Sequence, residues 1–86
     1  MGRVSATPRF CLVSRAGCGL CEEMLAELAA LPEMRDWPVA LLDIDTDGAA
    51  QRRYGHKIPV LLFDGEIVCH GRLDREEVHK TLALHR

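Results

Sequence analysis

Eighty-six residues make room for one domain, burying about 60% of the surface that its unfolded chain exposes. With 48% hydrophobic residues, 28% charged residues and a formal net charge of −2, the composition excludes a disordered or fibrous chain and carries no signature for nucleic acid or a membrane surface. No apolar run approaches membrane-spanning length, no signal-peptide core follows Met1, and Ala6 stands where a myristoylation motif wants Ser or Thr. The four cysteines are therefore expected reduced, in the cytoplasm.

Residues 1–8 mix Arg, Ser, Thr and Pro without periodicity and read as a short flexible leader, with the domain spanning 9–86. Phe10-Cys11-Leu12-Val13 is an apolar run of strand length, as a central strand covered on both faces requires. It leads into Ser14-Arg15-Ala16-Gly17-Cys18-Gly19-Leu20-Cys21, where two thiols meet the start of a helix. A CxxC pair beside a βαβ pattern reads as a redox dithiol. The unpaired N–H groups and positive dipole end of a helix start favour a thiolate, so Cys18 is the expected attacking thiol and Cys21, one turn on, the resolving one. Glu22 and Glu23, if close, oppose that ionisation in part.

Met24, Leu25, Leu28 and Leu31 recur at helical spacing up to Pro32 and define the expected buried face. Val39-Ala40-Leu41-Leu42-Asp43-Ile44 reads as a second buried strand, parallel to the first because a helix intervenes. Asp45-Thr46-Asp47-Gly48 offers caps for a short helix from Ala49 to Tyr54, stopped by Gly55. Strands over 58–63 and 66–70 flank Asp64-Gly65, a two-residue hairpin turn. Asp74-Arg75-Glu76-Glu77 is a capping box with Asp in the cap, opening a helix that turns Val78, Leu82 and either Leu84 or His85 inward.

The order βαβαββα, with CxxC after the first strand and Ile58-Pro59 before the third, resembles the thioredoxin fold in its compact glutaredoxin form. More narrowly, Cys18-Gly19-Leu20-Cys21, Asp43-Ile44-Asp45, Tyr54-Gly55-His56-Lys57-Ile58-Pro59-Val60-Leu61 and Asp64-Gly65 are similar to small bacterial glutaredoxin-like proteins. The resemblance implies an α/β domain with a four-stranded mixed sheet flanked by three helices. It also implies a cis peptide at Ile58-Pro59 that packs against the dithiol and docks substrate. Arg15 resembles the basic residue that glutaredoxins use for a glutathione carboxylate. Gly71 matches one of the two glycines with which they hold glutathione. Neither CPYC nor CGPC is present, and Leu12 stands where thioredoxins keep a buried acid.

Together these readings give a thiol–disulfide oxidoreductase, a monomer whose only redox group is its own dithiol. Its expected partners are disulfide-containing proteins or glutathione mixed disulfides, with thioredoxin reductase or glutathione as reductant. The rival is a non-catalytic module of the same fold that grips a protein partner or a metal. A zinc site would need ligands added to the CxxC from Cys11, Cys69, His56 and His70, and no second CxxC exists. Cys11, inside a strand, reads as a small hydrophobe, and Cys69 as a structural thiol at a sheet edge. The run from Gln51 to Lys57 is explained by cations at a helix C-terminus and, less simply, by a phosphate or glutathione patch.

Overall fold

The protein is described by a computed structural model over residues 8–85. The leader expected over residues 1–8 lies, Pro8 apart, outside the described residues. The first apolar run forms β1 (Phe10–Ser14). It is followed by α1 (Gly19–Ala30), β2 (Val39–Asp43), α2 (Gly48–Tyr54), β3 (Val60–Phe63), β4 (Glu66–His70) and α3 (Arg75–Leu84). The sheet order is β2-β1-β3-β4, with β1 parallel to β2 and antiparallel to β3, and β3 antiparallel to β4.

Strand periodicity then divides the core into two layers. Phe10, Leu12, Leu61 and Phe63 point to one face, where Met24 and Leu28 of α1 and Val78 and Leu82 of α3 cover them. Val13, Val60 and Leu62 point to the other, covered by Ile44 and by Ala50 and Tyr54 of α2. Phe10, Phe63 and Trp37 meet edge-on, with ring centroids 4.7 to 5.9 Å apart. The α/β order and the four-stranded mixed sheet flanked by three helices are those expected.

Local chemistry fixes the ends of the elements. Asp64 (φ 52°) and Gly65 (φ 84°) both lie in the left-handed region, the conformation that a two-residue type I′ hairpin turn demands. Arg9 Nη2 clasps the Asp64 carboxylate at 2.7 Å, which lowers that group's pKa and ties the turn to the start of β1. Asp74 Oδ1 accepts the Glu77 N–H at 3.2 Å and so caps α3.

Several boundaries and faces differ from expectation, beginning with α2, which starts at Gly48 rather than Ala49. The strand over 39–44 was expected buried, but β2 is an edge strand with Leu41 60% exposed, because β3 takes the other flank of β1 and nothing pairs outside β2 among the described residues. Ile44 leaves the strand for a 3₁₀ turn (Ile44–Thr46) capped by Asp43, whose Oδ1 accepts the Asp45 N–H at 2.9 Å. Leu25 is exposed: Met24 and Leu28, four apart, fill the α1 face over the sheet, and Leu25 falls at its flank beside Leu41. The third strand begins at Val60 rather than residue 58. At the end of α3 Leu84 points outward, and His85, also exposed, lays its ring against Phe63 at 4.7 Å.

Leu12 separates two leucines that the ladder treats oppositely, Leu41 on β2 and fully buried Leu61 on β3. Leu61→Ala is expected to cost about 2–5 kcal/mol and Leu41→Ala under about 1 kcal/mol. Denaturant midpoints at constant slope measure both, and equal losses would contradict the layering.

Candidate active site

Strand directions gather the site before any side chain is considered. β1 ends where β2 ends, because the two are parallel, and where β3 begins, because those two are antiparallel. β4 also ends there, with His70 opposite Val60. Four segments therefore share one end of the sheet: the dithiol loop after Ser14, the turn at Ile44–Thr46, Ile58-Pro59, and the loop from Gly71 to Asp74.

Gly17 (φ 78°) supplies the left-handed residue that turns the chain from β1 into α1. Cys18 follows as the N-cap in extended conformation, and its Sγ accepts the Cys21 N–H at 3.3 Å. The Cys18 N–H is returned to the Arg15 carbonyl at 3.2 Å. The cap position normally belongs to Ser, Thr, Asp or Asn, and here a sulfur does the work of their oxygen. Cys18 is half-buried, whereas Cys21 is only 3% exposed. Burial, and next the hydrogen bond with Cys18, push the Cys21 thiol up to about 11, against the pull of a backbone hydrogen bond from Arg15. The two thiols are thus unequal, one at the surface and one inside and held protonated.

The other expected site residues divide into two groups. The Ile58–Pro59 peptide is cis, and Pro59 is fully buried. Its carbonyl accepts the Gly71 N–H at 2.8 Å, which joins the start of β3 to the loop after β4, with Gly71 at φ 78°. Ile58 packs half-buried against the layer under α2. Arg15 turns the opposite way, toward β2, where its guanidinium grips Asp45: Nε lies 3.1 and 3.2 Å from Oδ1 and Oδ2, and Nη2 lies 3.1 Å from Oδ1. No spacing rule points to a pair thirty positions apart, so Asp45 entered the sequence reading as a cap candidate and as part of the Asp43-Ile44-Asp45 motif, without a link to Arg15.

A 110 Å³ hollow opens between α1 and the last loop, lined by Leu20, Glu23 and Glu27 on one side and Gly71, Arg72 and Leu73 on the other. Leu20, between the two cysteines, is 50% exposed at its rim. A second hollow of 170 Å³ lies on the β2 side, beside Arg15, Cys21, Glu22 and Leu41. Sequence reasoning missed Glu27, Arg72 and Leu73 because only the packing of the last loop on α1 brings them together. Arg52 and Arg53 fall in the last turn of α2, on the other sheet face.

All four thiols are free. Burial pushes the thiols of Cys11 and Cys69 up, and Cys69, on the edge strand β4, is buried in the core as its reading as a structural thiol requires. Among the described residues no three His, Cys, Asp or Glu side chains converge as metal ligands, and no helix is long and apolar enough to cross a membrane.

Residues 9–83 match the Glutaredoxin-like domain (DUF836). The chain belongs to that family. This glutaredoxin-like domain is 25% identical to the uncharacterized proteins Rv0508 of Mycobacterium tuberculosis and Mb0520 of Mycobacterium bovis, in matches that cover 88% of this chain and 84% of each relative. Among solved structures it is similar to protein Ne2328 from Nitrosomonas europaea, with a TM-score of 0.75, 28% identity and coverage of 94% of this chain and 98% of that one. A thioredoxin from Malassezia sympodialis (Mala s 13) superposes with a TM-score of 0.50 at 15% identity, covering 91% of this chain and 78% of that one, a likeness of fold. The fold is thioredoxin-like.

Exposure and the raised Cys21 thiol together set an order of reactivity. Iodoacetamide at neutral pH is expected to modify Cys18 before Cys11, Cys21 and Cys69, and Cys21 labelling is expected to quicken as pH rises toward 11. Peptide mass spectrometry of a time course checks this, and faster labelling of Cys21 or Cys69 would refute it.

Proposed function

We propose that this domain is a thiol–disulfide oxidoreductase in which Cys18 exchanges with substrate and Cys21 resolves the product. The observation that carries the reading is the inequality of the two thiols: a half-buried sulfur at a helix N-cap and a buried partner one turn behind it, bonded through its own N–H. An inert or metal-gripping pair has no need of that asymmetry. Membership of a glutaredoxin-like family supports it as well.

In the proposed cycle the Cys18 thiolate attacks a substrate disulfide. A bond forms between Cys18 and one substrate sulfur, and the other substrate sulfur departs as a thiolate. Cys21 then gives up its proton and attacks Cys18 Sγ. The Cys18–Cys21 disulfide forms, the second substrate sulfur leaves and takes the proton, and the substrate has gained the two electrons lost by the dithiol. Glutathione or a thioredoxin reductase would return those electrons. Cys18 and Cys21 carry the chemistry. The partly exposed Ile58 and Gly71, set by the buried Pro59 between them in the structure, form the face on which an extended substrate segment docks, and Arg15 is the cation closest in sequence. The domain works as a monomer in the cytoplasm, on protein disulfides or glutathione mixed disulfides, with no cofactor beyond its dithiol.

The raised Cys21 thiol gives the second step a pH dependence of definite sign. Burial, the largest cause, persists when Cys18 is tied up in a mixed disulfide, so Cys21 is mostly protonated at neutral pH and only its thiolate attacks. Between about pH 6 and pH 9 the rate of substrate release should therefore climb by about tenfold per unit. Stopped-flow release of a labelled substrate from the mixed disulfide measures it. In steady state, with glutathione or with thioredoxin reductase and its electron donor supplied in excess, many disulfides should be reduced per protein molecule and Cys18→Ser should abolish turnover, whereas without added reductant Cys21→Ser should trap the mixed disulfide. Stoichiometric uptake without turnover would instead identify a binding module.

A further inference from the structure

The reaction leaves one interaction unused, the grip of Arg15 on Asp45. Arg15 belongs to the dithiol loop itself, since its carbonyl receives the Cys18 N–H and its backbone pulls the Cys21 thiol down against burial. Its guanidinium is the group on that loop suited to a substrate carboxylate, because a planar fork of donors matches the two oxygens of such a group. A carboxylate of the protein already fills the fork. Asp45 is firmly placed to do so: its N–H is held by Asp43 Oδ1 at 2.9 Å, Thr46 Oγ1 donates to the Asp43 carbonyl at 2.7 Å, and Ile44 beside it is fully buried.

The surrounding charges reinforce the effect. Glu22 lines the hollow on the Arg15 side of the dithiol, and Glu23 and Glu27 line the hollow on the other, facing Arg72. Among the described residues none of these three glutamates forms an ion pair. With Arg15 neutralised, an approaching disulfide therefore meets more negative than positive charge on both flanks of Cys18.

We propose that Asp45 is a specificity-determining residue: by occupying Arg15 it turns the dithiol away from anionic disulfides and toward protein disulfides with neutral or basic flanks. This rests on the exchange reading above and names its substrate class. The pair is half-exposed, so a carboxylate on a substrate competes for Arg15 rather than being shut out, and the discrimination is several-fold rather than absolute.

The test uses the Cys21→Ser protein and follows one step by mass: the Cys18 thiolate attacks a symmetrical disulfide, the adduct forms, and one thiolate leaves. Three probes differ in charge: oxidised glutathione, which bears more carboxylates than ammonium groups; hydroxyethyl disulfide, which is neutral; and cystamine, which is cationic. Each rate is divided by that of the neutral probe, to remove changes common to all. The cationic ratio should exceed the anionic one at low salt, and the two should converge as salt is raised. Asp45→Asn should raise the anionic ratio by about twofold to fivefold, and adding Arg15→Ala should remove most of that gain. An anionic ratio at or above the cationic one in the parent protein would overturn the proposal whether or not the Asn variant folds. So would an Asp45→Asn effect that is absent, or equally large with and without Arg15. If no probe forms an adduct, the exchange reading falls and takes this inference with it, whereas adducts with an unchanged charge preference remove this inference alone.

Discussion

The hydrogen bond from the Cys21 N–H to Cys18 Sγ is the contact on which the rest of the architecture turns. A helix must find partners for the N–H groups of its first turn, and α1 finds one in the Cys18 sulfur, the atom to which the proposed exchange also falls. Structure and chemistry are therefore asked of one atom. The same bond seats Cys18 Sγ against the helix start, one turn before the buried Cys21, whose thiol burial pushes up. The remainder of the fold presents this junction: β1 delivers the loop, β3 brings Pro59 to the same end of the sheet, and the Gly71 N–H locks the last loop onto Pro59.

How much of this was legible in the sequence depended on whether a feature rests on neighbours in the chain or across space. Asp64-Gly65 needs two left-handed residues in succession, and Asp74 needs only the N–H three positions on, so both were readable. The dithiol was readable for the same reason, since strand, loop and helix start are contiguous. The exposure of Leu41 was not, because an apolar strand reads alike in the centre of a sheet and at its edge; only the sheet order decides. Leu25 failed similarly, since helical spacing shows a stripe and not its width. The partner of Arg15 comes from a turn on the far side of β2, and no local pattern announces it.

Cys69 was read as a structural thiol at a sheet edge, and it lies buried: one face of an edge strand rests on the core, and Cys69 takes that face, with its thiol pushed up by burial. A β-bulge contributes: Leu61 pairs with Cys69 while Leu62 pairs with Ile67, so Val68 is extra and the alternation of faces resets within β4. A residue-by-residue count along the strand would not include that step.

The central position of β1 bears on how the protein is made. β1 is synthesised first among the strands, yet both of its neighbours, and the residues that face its two layers, come from later in the chain. As the polypeptide leaves the ribosome, Phe10, Leu12 and Val13 have no strand beside them until β2 has emerged and only one until β3 follows, and pairings between distant segments form slowly. Cys18 and Cys21 emerge in that same interval, when the burial that makes them unequal does not yet exist. A nascent chain thus carries two alike thiols, and the difference in burial between them arises only when the sheet closes around them.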